Sequence, residues 1–173
     1  MGTDKALVTF EGEPMYLRAT RILKEGGCSM ISVISRSPLP GDESINGFWT
    51  DVHGGQGPLD GLITALRNVQ SPYFCLLAID LPRVTPPAIA RLWRTIDENE
   101  TLDVAHLSAP SGPQALAACW RSRVLERAES FFDSGGRSVH DLVGGLRVAT
   151  LAVSDSELLN VNSPAQMPGA EAE

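Results

Sequence analysis

The pattern of apolar runs predicts an α/β domain: a three-layer α/β/α sandwich built on a mixed, mostly parallel sheet. Residues 73–79, Tyr-Phe-Cys-Leu-Leu-Ala-Ile, form one continuous apolar run of strand length without polar alternation. A central parallel strand, covered by helices on both faces, reads this way. Amphipathic stretches of helix length alternate with such runs in the order βαββαβαββααβ, joined by short polar links, and that alternation indicates helices on both sides of a sheet. Asp80 follows the apolar run directly, and Pro82 stops the ladder. In open α/β sheets ligands gather at the carboxyl ends of the strands. Asp80 therefore either holds a metal ion or a ligand there, or caps the turn towards the next helix.

Taken in order, residues 6–10 predict a first short strand, and Glu11-Gly12-Glu13 a turn. Pro14 suits a first helical position, and Leu17, Ala19, Ile22 and Leu23 give the helix its apolar face before Gly26-Gly27 ends it. Residues 30–34 predict a buried strand, 36–47 a polar loop, and 48–52 another short strand. Next comes His53-Gly54-Gly55-Gln56-Gly57-Pro58-Leu59-Asp60-Gly61, with four glycines in nine residues. A loop like this, opening the helix of residues 59–69, either cradles phosphate or a polar ring on its free N–H groups or is a plain turn. After the central strand, Thr85-Pro86-Pro87 starts a helix whose inner face is Ile89, Leu92, Trp93 and Ile96. Residues 102–107 and 115–120 predict two strands about a Pro/Gly loop. Ser122 is expected to cap a helix ending near Phe132, residues 138–143 a short helix, and 146–153 the last strand.

At 173 residues the chain is long enough to bury a full core as one domain. With 43% hydrophobic and 20% charged residues its composition is that of an ordinary globule. The net charge of −7 argues against an electrostatic grip on nucleic acid or an anionic membrane. No apolar run approaches the ~18 residues of a membrane span, and the N-terminus carries no signal-peptide pattern. The three cysteines, Cys28, Cys75 and Cys119, are odd in number and far apart in the chain. They are expected to be small buried hydrophobes of a reducing compartment rather than a disulfide or metal set, which makes the cytoplasm the expected location. Residues 165–173 are small and acidic, and a disordered tail is expected there.

Several motifs occur in a telling order: Met1-Gly2-Thr3-Asp4-Lys5-Ala6-Leu7, Gly57-Pro58-Leu59-Asp60-Gly61, Ile79-Asp80-Leu81-Pro82 and Asn160-Val161-Asn162-Ser163-Pro164. With Glu11-Gly12-Glu13-Pro14 and Gly135-Gly136-Arg137-Ser138-Val139-His140-Asp141-Leu142, they resemble the molybdenum cofactor guanylyltransferases, the MobA-type nucleotidyltransferases. The resemblance spans residues 1–164 as a single domain. It implies a Rossmann-like nucleotidyltransferase sandwich. The implied reaction is attack by the terminal phosphate of the molybdopterin cofactor on the α-phosphorus of GTP, forming the guanine dinucleotide cofactor and releasing pyrophosphate. In-line positioning and cations on the developing phosphate charge are its physical demands.

Carried over residue by residue, the resemblance makes Lys5 a fixed positive charge on the phosphates; on its own it also reads as a solvated surface lysine. Gly2 belongs to the same nucleotide-binding motif. Asp80 becomes the Mg²⁺ ligand, since magnesium usually takes one or two carboxylates and completes its shell with phosphate oxygens and water. Asp51 corresponds to a nucleotide-contacting acid, or else to a turn aspartate. Gly57, Pro58, Leu59 and Gly61 form the loop beside the nucleotide, and Ser35 is a further candidate contact at a strand end. Asn160 and Asn162 match the family's asparagine pair, which could contact cofactor or nucleotide without adding negative charge, or simply hold a turn. Sibling cytidylyltransferases tend to carry aspartates there, so the asparagines favour the guanylyl branch. A molybdoenzyme or insertion chaperone is an implied partner. A cytidylyltransferase, or a non-catalytic relative that only binds cofactor or protein, is the alternative.

The sequence also departs from the family. Members open with a buried strand and a Leu-Ala-Gly-Gly-x-Ser-x-Arg loop before Met-Gly-x-Asp-Lys, and Met1 stands at that internal methionine. Without that strand the sheet is expected to expose two unpaired edges, and without that loop GTP loses most of its phosphate cradle. Gln114-Ala115 stands where Gln-Pro is usual, and Ser163 where Thr is.

Overall fold

The structure is a computed structural model and describes residues 5–161. A 3₁₀ turn, Lys5–Leu7, leads into a small hairpin of β1 (Thr9–Phe10) and β2 (Glu13–Pro14), paired antiparallel. The strand expected over residues 6–10 is thus only two residues long. Its turn has left-handed backbone at both Glu11 (φ 51°) and Gly12 (φ 82°), the combination a tight two-residue hairpin needs. Pro14 closes this hairpin with extended backbone instead of opening the helix, so α1 begins one residue later (Met15–Glu25).

β3 (Ser32–Ile34) and β4 (Gly47–Trp49) pair in parallel as a separate two-stranded sheet. α2 (Pro58–Asn68) precedes β5 (Tyr73–Leu77), and α3 (Pro86–Glu98) follows it. β6 (Val104–Ala109) and β7 (Gly112–Arg121) then form a hairpin that absorbs most of the expected Pro/Gly loop. A 3₁₀ turn, Ser122–Val124, occupies the place of the expected cap before α4 (Leu125–Asp133). α5 (Val139–Val143) is capped by Ser138, whose hydroxyl oxygen accepts the Asp141 N–H at 3.2 Å. β8 (Val148–Ala152) is the last strand.

The main sheet runs β5-β7-β6-β8, antiparallel between β5 and β7 and between β7 and β6, parallel between β6 and β8. Strand alternation sorts its side chains into two cores. Ala117 and Cys119 of β7 pack with Ile22 of α1 and with Ile89, Leu92 and Ile96 of α3. Ala118 and Trp120, on the other face, pack with Leu62 and Leu66 of α2, Phe132 of α4 and Leu142 of α5. The three layers and the mixed sheet agree with the sequence reading. No helix among the described residues is long and apolar enough to cross a membrane.

β5 departs from the role expected of it. Among the described residues it pairs only with β7, and antiparallel, which leaves its other backbone edge without a described partner strand. That edge faces the edge of β3 across a cleft. One end of the cleft, about 330 Å³, is lined by residues 31–34 and 75–80; the other, about 770 Å³, by residues 28–32 and 73–75. Low numbers lie opposite low numbers, so β3 and β5 run in the same direction. Helices cover both faces of β5, which is why its sequence is apolar throughout. The edge without a described partner explains why Tyr73, Phe74, Cys75 and Leu76 are nevertheless only partly buried.

Candidate active site

The end of the cleft next to the carboxyl end of β5 gathers five of the eleven candidate residues. Asp80, Asp51, Gly57, Pro58 and Gly61 all line it. β5 delivers Asp80, just past the last paired residue; its backbone carbonyl accepts the Val161 N–H at 2.9 Å, which ties the C-terminal segment to the strand end. The carboxylate itself has no hydrogen bond or ion pair among the described residues. A turn cap would show the side chain accepting a backbone N–H, and among the described residues it accepts none. A cation-binding carboxylate needs its oxygens free in this way, so Asp80 fits a magnesium ligand completed by phosphate oxygens and water. Among the described residues no group of three or more His, Cys, Asp and Glu side chains could hold a metal.

Asp51 follows β4, two residues beyond its end, and its side chain is 13% exposed. Arg36 approaches it, Nε to Oδ2, at 3.8 Å. Burial, and then the nearby charge of Asp60, push its carboxyl up from the usual value, with Arg36 opposing them.

The glycine loop differs from the phosphate cradle the sequence allowed. Both oxygens of Asp60, a residue with no exposed surface, point back into the loop. Oδ1 accepts the His53 backbone N–H and faces His53 Nδ1, each at 3.0 Å; Oδ2 accepts the N–H of Gly55 at 2.7 Å and of Gln56 at 3.1 Å. Gly54 N–H goes to the Asp51 carbonyl at 3.1 Å. Four successive amides, His53 to Gln56, are thereby spent inside the protein, and none is free for an anion. Left-handed backbone at Gly54, Gly55 and Gly57 (φ 78°, 80° and 101°) makes this inward curl possible. Burial works against the Asp60 charge, but its N–H donors prevail and hold the carboxyl below the usual value. The loop is fixed from outside as well: the His53 ring stacks on Phe132 with centroids 4.2 Å apart, and Arg137 lies over the same ring at 3.9 Å. Sequence reasoning gave Asp60 no role. An acid at the third position of a helix, able to take amides just before that helix, was the available signal.

Other candidates fall elsewhere. Leu59 has no exposed surface and packs in the core beneath α2, away from the cleft. Ser35 spends its N–H on the Trp49 carbonyl at 3.0 Å and its hydroxyl on the Ser37 carbonyl at 2.7 Å, and does not line the cleft. Asn160 precedes Val161, which packs with Phe10, Met15 and Ile79. Its amide oxygen is buried with no partner among the described residues, as a group awaiting a donor would be. Gly2 and Asn162 lie outside the described residues, as does the side chain of Lys5; the Lys5 backbone opens the first 3₁₀ turn.

The cysteines meet in space although they are far apart in sequence. Cys75 and Cys119 face each other across β5 and β7, and Cys28 contacts Cys75. Donating its S–H to Cys75, with burial, raises the Cys28 thiol; the bond Cys75 makes to Cys119, with burial, raises Cys75 against the lowering effect of the bond from Cys28. Thiols held protonated in this way are poor nucleophiles.

Comparison with known proteins agrees with this layout. A molybdenum cofactor guanylyltransferase of Albidiferax ferrireducens is 31% identical over 150 residues, covering 80% of this chain and 71% of that protein. A probable molybdenum cofactor guanylyltransferase of Synechococcus elongatus is 30% identical over 174 residues, covering 95% and 88%. Among solved structures, the molybdopterin-guanine dinucleotide biosynthesis protein A of Archaeoglobus fulgidus superposes with a TM-score of 0.73 at 21% identity, over 95% of this chain and 87% of that one. That likeness establishes a shared fold. Residues 1–148 match the family described as the MobA-like NTP transferase domain. The chain belongs to this family of nucleotidyltransferases.

Proposed function

We propose that this protein transfers GMP from GTP to the molybdopterin form of the molybdenum cofactor. A terminal phosphate oxygen of the acceptor forms a bond to the α-phosphorus of GTP, the bond from that phosphorus to the β-phosphate oxygen breaks, and pyrophosphate leaves. The observation that carries the reading is the Asp80 carboxylate at the carboxyl end of β5, without a partner among the described residues and in one cleft with Asp51 and the wall of Gly57, Pro58 and Gly61. Asp80 would hold Mg²⁺, which neutralises phosphate charge as it builds up in the transfer. Asp51 would contact the nucleotide, Lys5 and Gly2 the phosphates, and the orphaned amide of Asn160, with Asn162, the cofactor or the nucleotide. The names of the related guanylyltransferases support GTP as donor and the molybdenum cofactor as acceptor. Acidic net charge and the absence of a spanning helix among the described residues suit a biosynthetic enzyme of the cytoplasm.

The test is pyrophosphate release from GTP in the presence of molybdopterin and Mg²⁺, with CTP as competitor. Release that depends on acceptor and GTP is expected. Asp80→Ala should abolish it while leaving the unfolding free energy within about 0.5 kcal/mol of the parent's, because this carboxylate makes no hydrogen bond or ion pair among the described residues. Turnover with CTP alone would make the protein a cytidylyltransferase. Binding of the cofactor without turnover in any nucleotide would make it a non-catalytic relative.

A further inference from the structure

We propose that Asp60 is a positioning residue: it sets the affinity for nucleotide by locking the loop of residues 53–57 into the wall of the cleft, without touching the ligand itself. This rests on the nucleotide-site reading above. Asp60 does not line the cleft, whereas Gly57, Pro58 and Gly61, immediately around it in the chain, do. Its two oxygens take four donors, all from the loop, which fills the acceptor capacity of a carboxylate. A buried carboxylate engaged so fully, by three backbone N–H groups and the His53 ring, holds the curl of the loop much as a bound anion would hold a phosphate nest.

A consequence follows for what the loop can recognise. With the amides of residues 53–56 turned inward, and two carboxylates, Asp51 and Asp60, behind it, the loop offers a nucleotide little attraction for phosphate. What it offers is a rigid shape and the acceptor oxygens of Asp51. Gly61 lies against Asp51, where an added Cβ would sit 3.7 Å from Oδ1. The locked loop therefore suits the base or sugar, whose N–H and O–H groups donate, and leaves the phosphates to the far side of the cleft at Asp80. Removing the Asp60 charge would release three amides and the His53 ring, let the loop open away from α2, and take Gly57 and Pro58 out of register with Asp51.

The experiment uses the full chain with Asp60→Asn, Asp60→Ala and Gly55→Ala. The last leaves the carboxylate in place but strains a glycine at φ 80°, where its new Cβ would also meet Arg36. Hydrogen exchange of the ligand-free proteins is followed by mass spectrometry on peptides covering residues 53–57 and on peptides from β6 and β7. GTP affinity in Mg²⁺ is measured by calorimetry below the melting temperature of each variant. The expected result is exchange faster by about tenfold or more in the loop alone, the size of one lost hydrogen bond to a charged group. A comparable loss of GTP affinity should accompany it in all three variants. Loop exchange within twofold of the parent would overturn the proposal, and so would faster exchange with unchanged affinity, which would make Asp60 a stabilising residue only. If the Asp60 variants do not fold, Gly55→Ala carries the same two readouts. A parent chain that binds no GTP would defeat the nucleotide-site reading and the affinity claim with it, and the exchange data would still decide whether Asp60 locks the loop.

Discussion

Replacing Asp103 by Ala tests how the sheet is clamped where three strands converge. Asp103 lies just before β6. Its Oδ1 accepts Arg123 Nε–H at 2.9 Å and an Arg147 amino group at 3.0 Å; Oδ2 accepts Arg147 Nε–H at 3.1 Å and the Arg147 backbone N–H at 3.0 Å. Its backbone takes part as well, donating to the Arg147 carbonyl at 2.8 Å and accepting the Arg121 N–H at 2.9 Å. The side chain is 12% exposed, but those of Arg123 and Arg147 are 44% and 61% exposed. Both guanidinium groups would regain water in the variant, so each ion pair counts for only about 0–1 kcal/mol. The unpaired Arg147 N–H adds about 1–3 kcal/mol. The sum is a loss of about 1–5 kcal/mol, or roughly 2–20 °C in melting temperature for a chain of this size. The pH dependence has a definite sign. The two arginines hold the Asp103 carboxyl well below the usual value, the hydrogen bond from Arg147 most of all. A depressed folded value means that the contribution is complete above the unfolded value, about 3.9, and is lost as pH falls through the folded one. Urea unfolding of parent and Asp103→Ala from pH 7 to pH 3 should show a constant gap down to about pH 5 and a narrowing gap below about pH 4. A gap under about 0.5 kcal/mol at pH 7, or one that widens in acid, would refute this account.

Gly26→Ala should cost about 1–3 kcal/mol by overpacking, since the new Cβ would lie 2.7 Å from Cβ and Cγ2 of Ile89; unchanged denaturation would mean that α1 and α3 can part freely. The Cys28 thiol is pushed up by its bond to Cys75 and by burial, and the Cys75 thiol by Cys119 and by burial, which outweigh the opposing bond from Cys28. They should react with an aromatic disulfide reagent at pH 8 at least about tenfold more slowly than a free cysteine. Denaturant should remove the difference, and fast native-state reaction would show that the trio does not hold its thiols protonated.

Where apolar spacing decides structure, the sequence was readable. Ile89, Leu92 and Ile96 mark the buried face of α3 in any reading, and Pro58 and Pro86 mark helix starts by their fixed φ. Asp80 was legible because a strand end is a place the chain reaches whatever its neighbours do. Features that depend on distant partners were not legible. The edge position of β5 follows from the strands it meets, and its apolar sequence records only the helices covering its faces. The meeting of Cys28, Cys75 and Cys119 is purely tertiary. The glycine loop is a subtler case: its composition correctly signalled left-handed backbone. Which way the amides then turn was decided by one acid, Asp60, whose place in a helix start also suits an ordinary capping role.

The electrostatics of the cleft bear on how a triphosphate could be held at all. Asp51 and Asp80 lie in its lining, Asp60 lies buried behind the loop, and the loop amides that might have offset them are already bound. Arg36 is engaged with Asp51 and with the Gly55 carbonyl. A nucleotide triphosphate entering this field brings several negative charges towards negative walls, which like charges in a partly desolvated cleft oppose strongly. The nucleotide-site reading therefore demands that cations do the neutralising: a divalent ion on Asp80, and Lys5 from the segment beside the carboxyl end of β5. It also assigns opposite tasks to the two sides of the cleft, acceptor oxygens on the Asp51 side for the donor groups of base or sugar, and cations on the Asp80 side for the phosphates. Such a division would orient the nucleotide before any chemistry begins, because the reversed pose would set phosphate against Asp51 and leave the ion on Asp80 without its ligands.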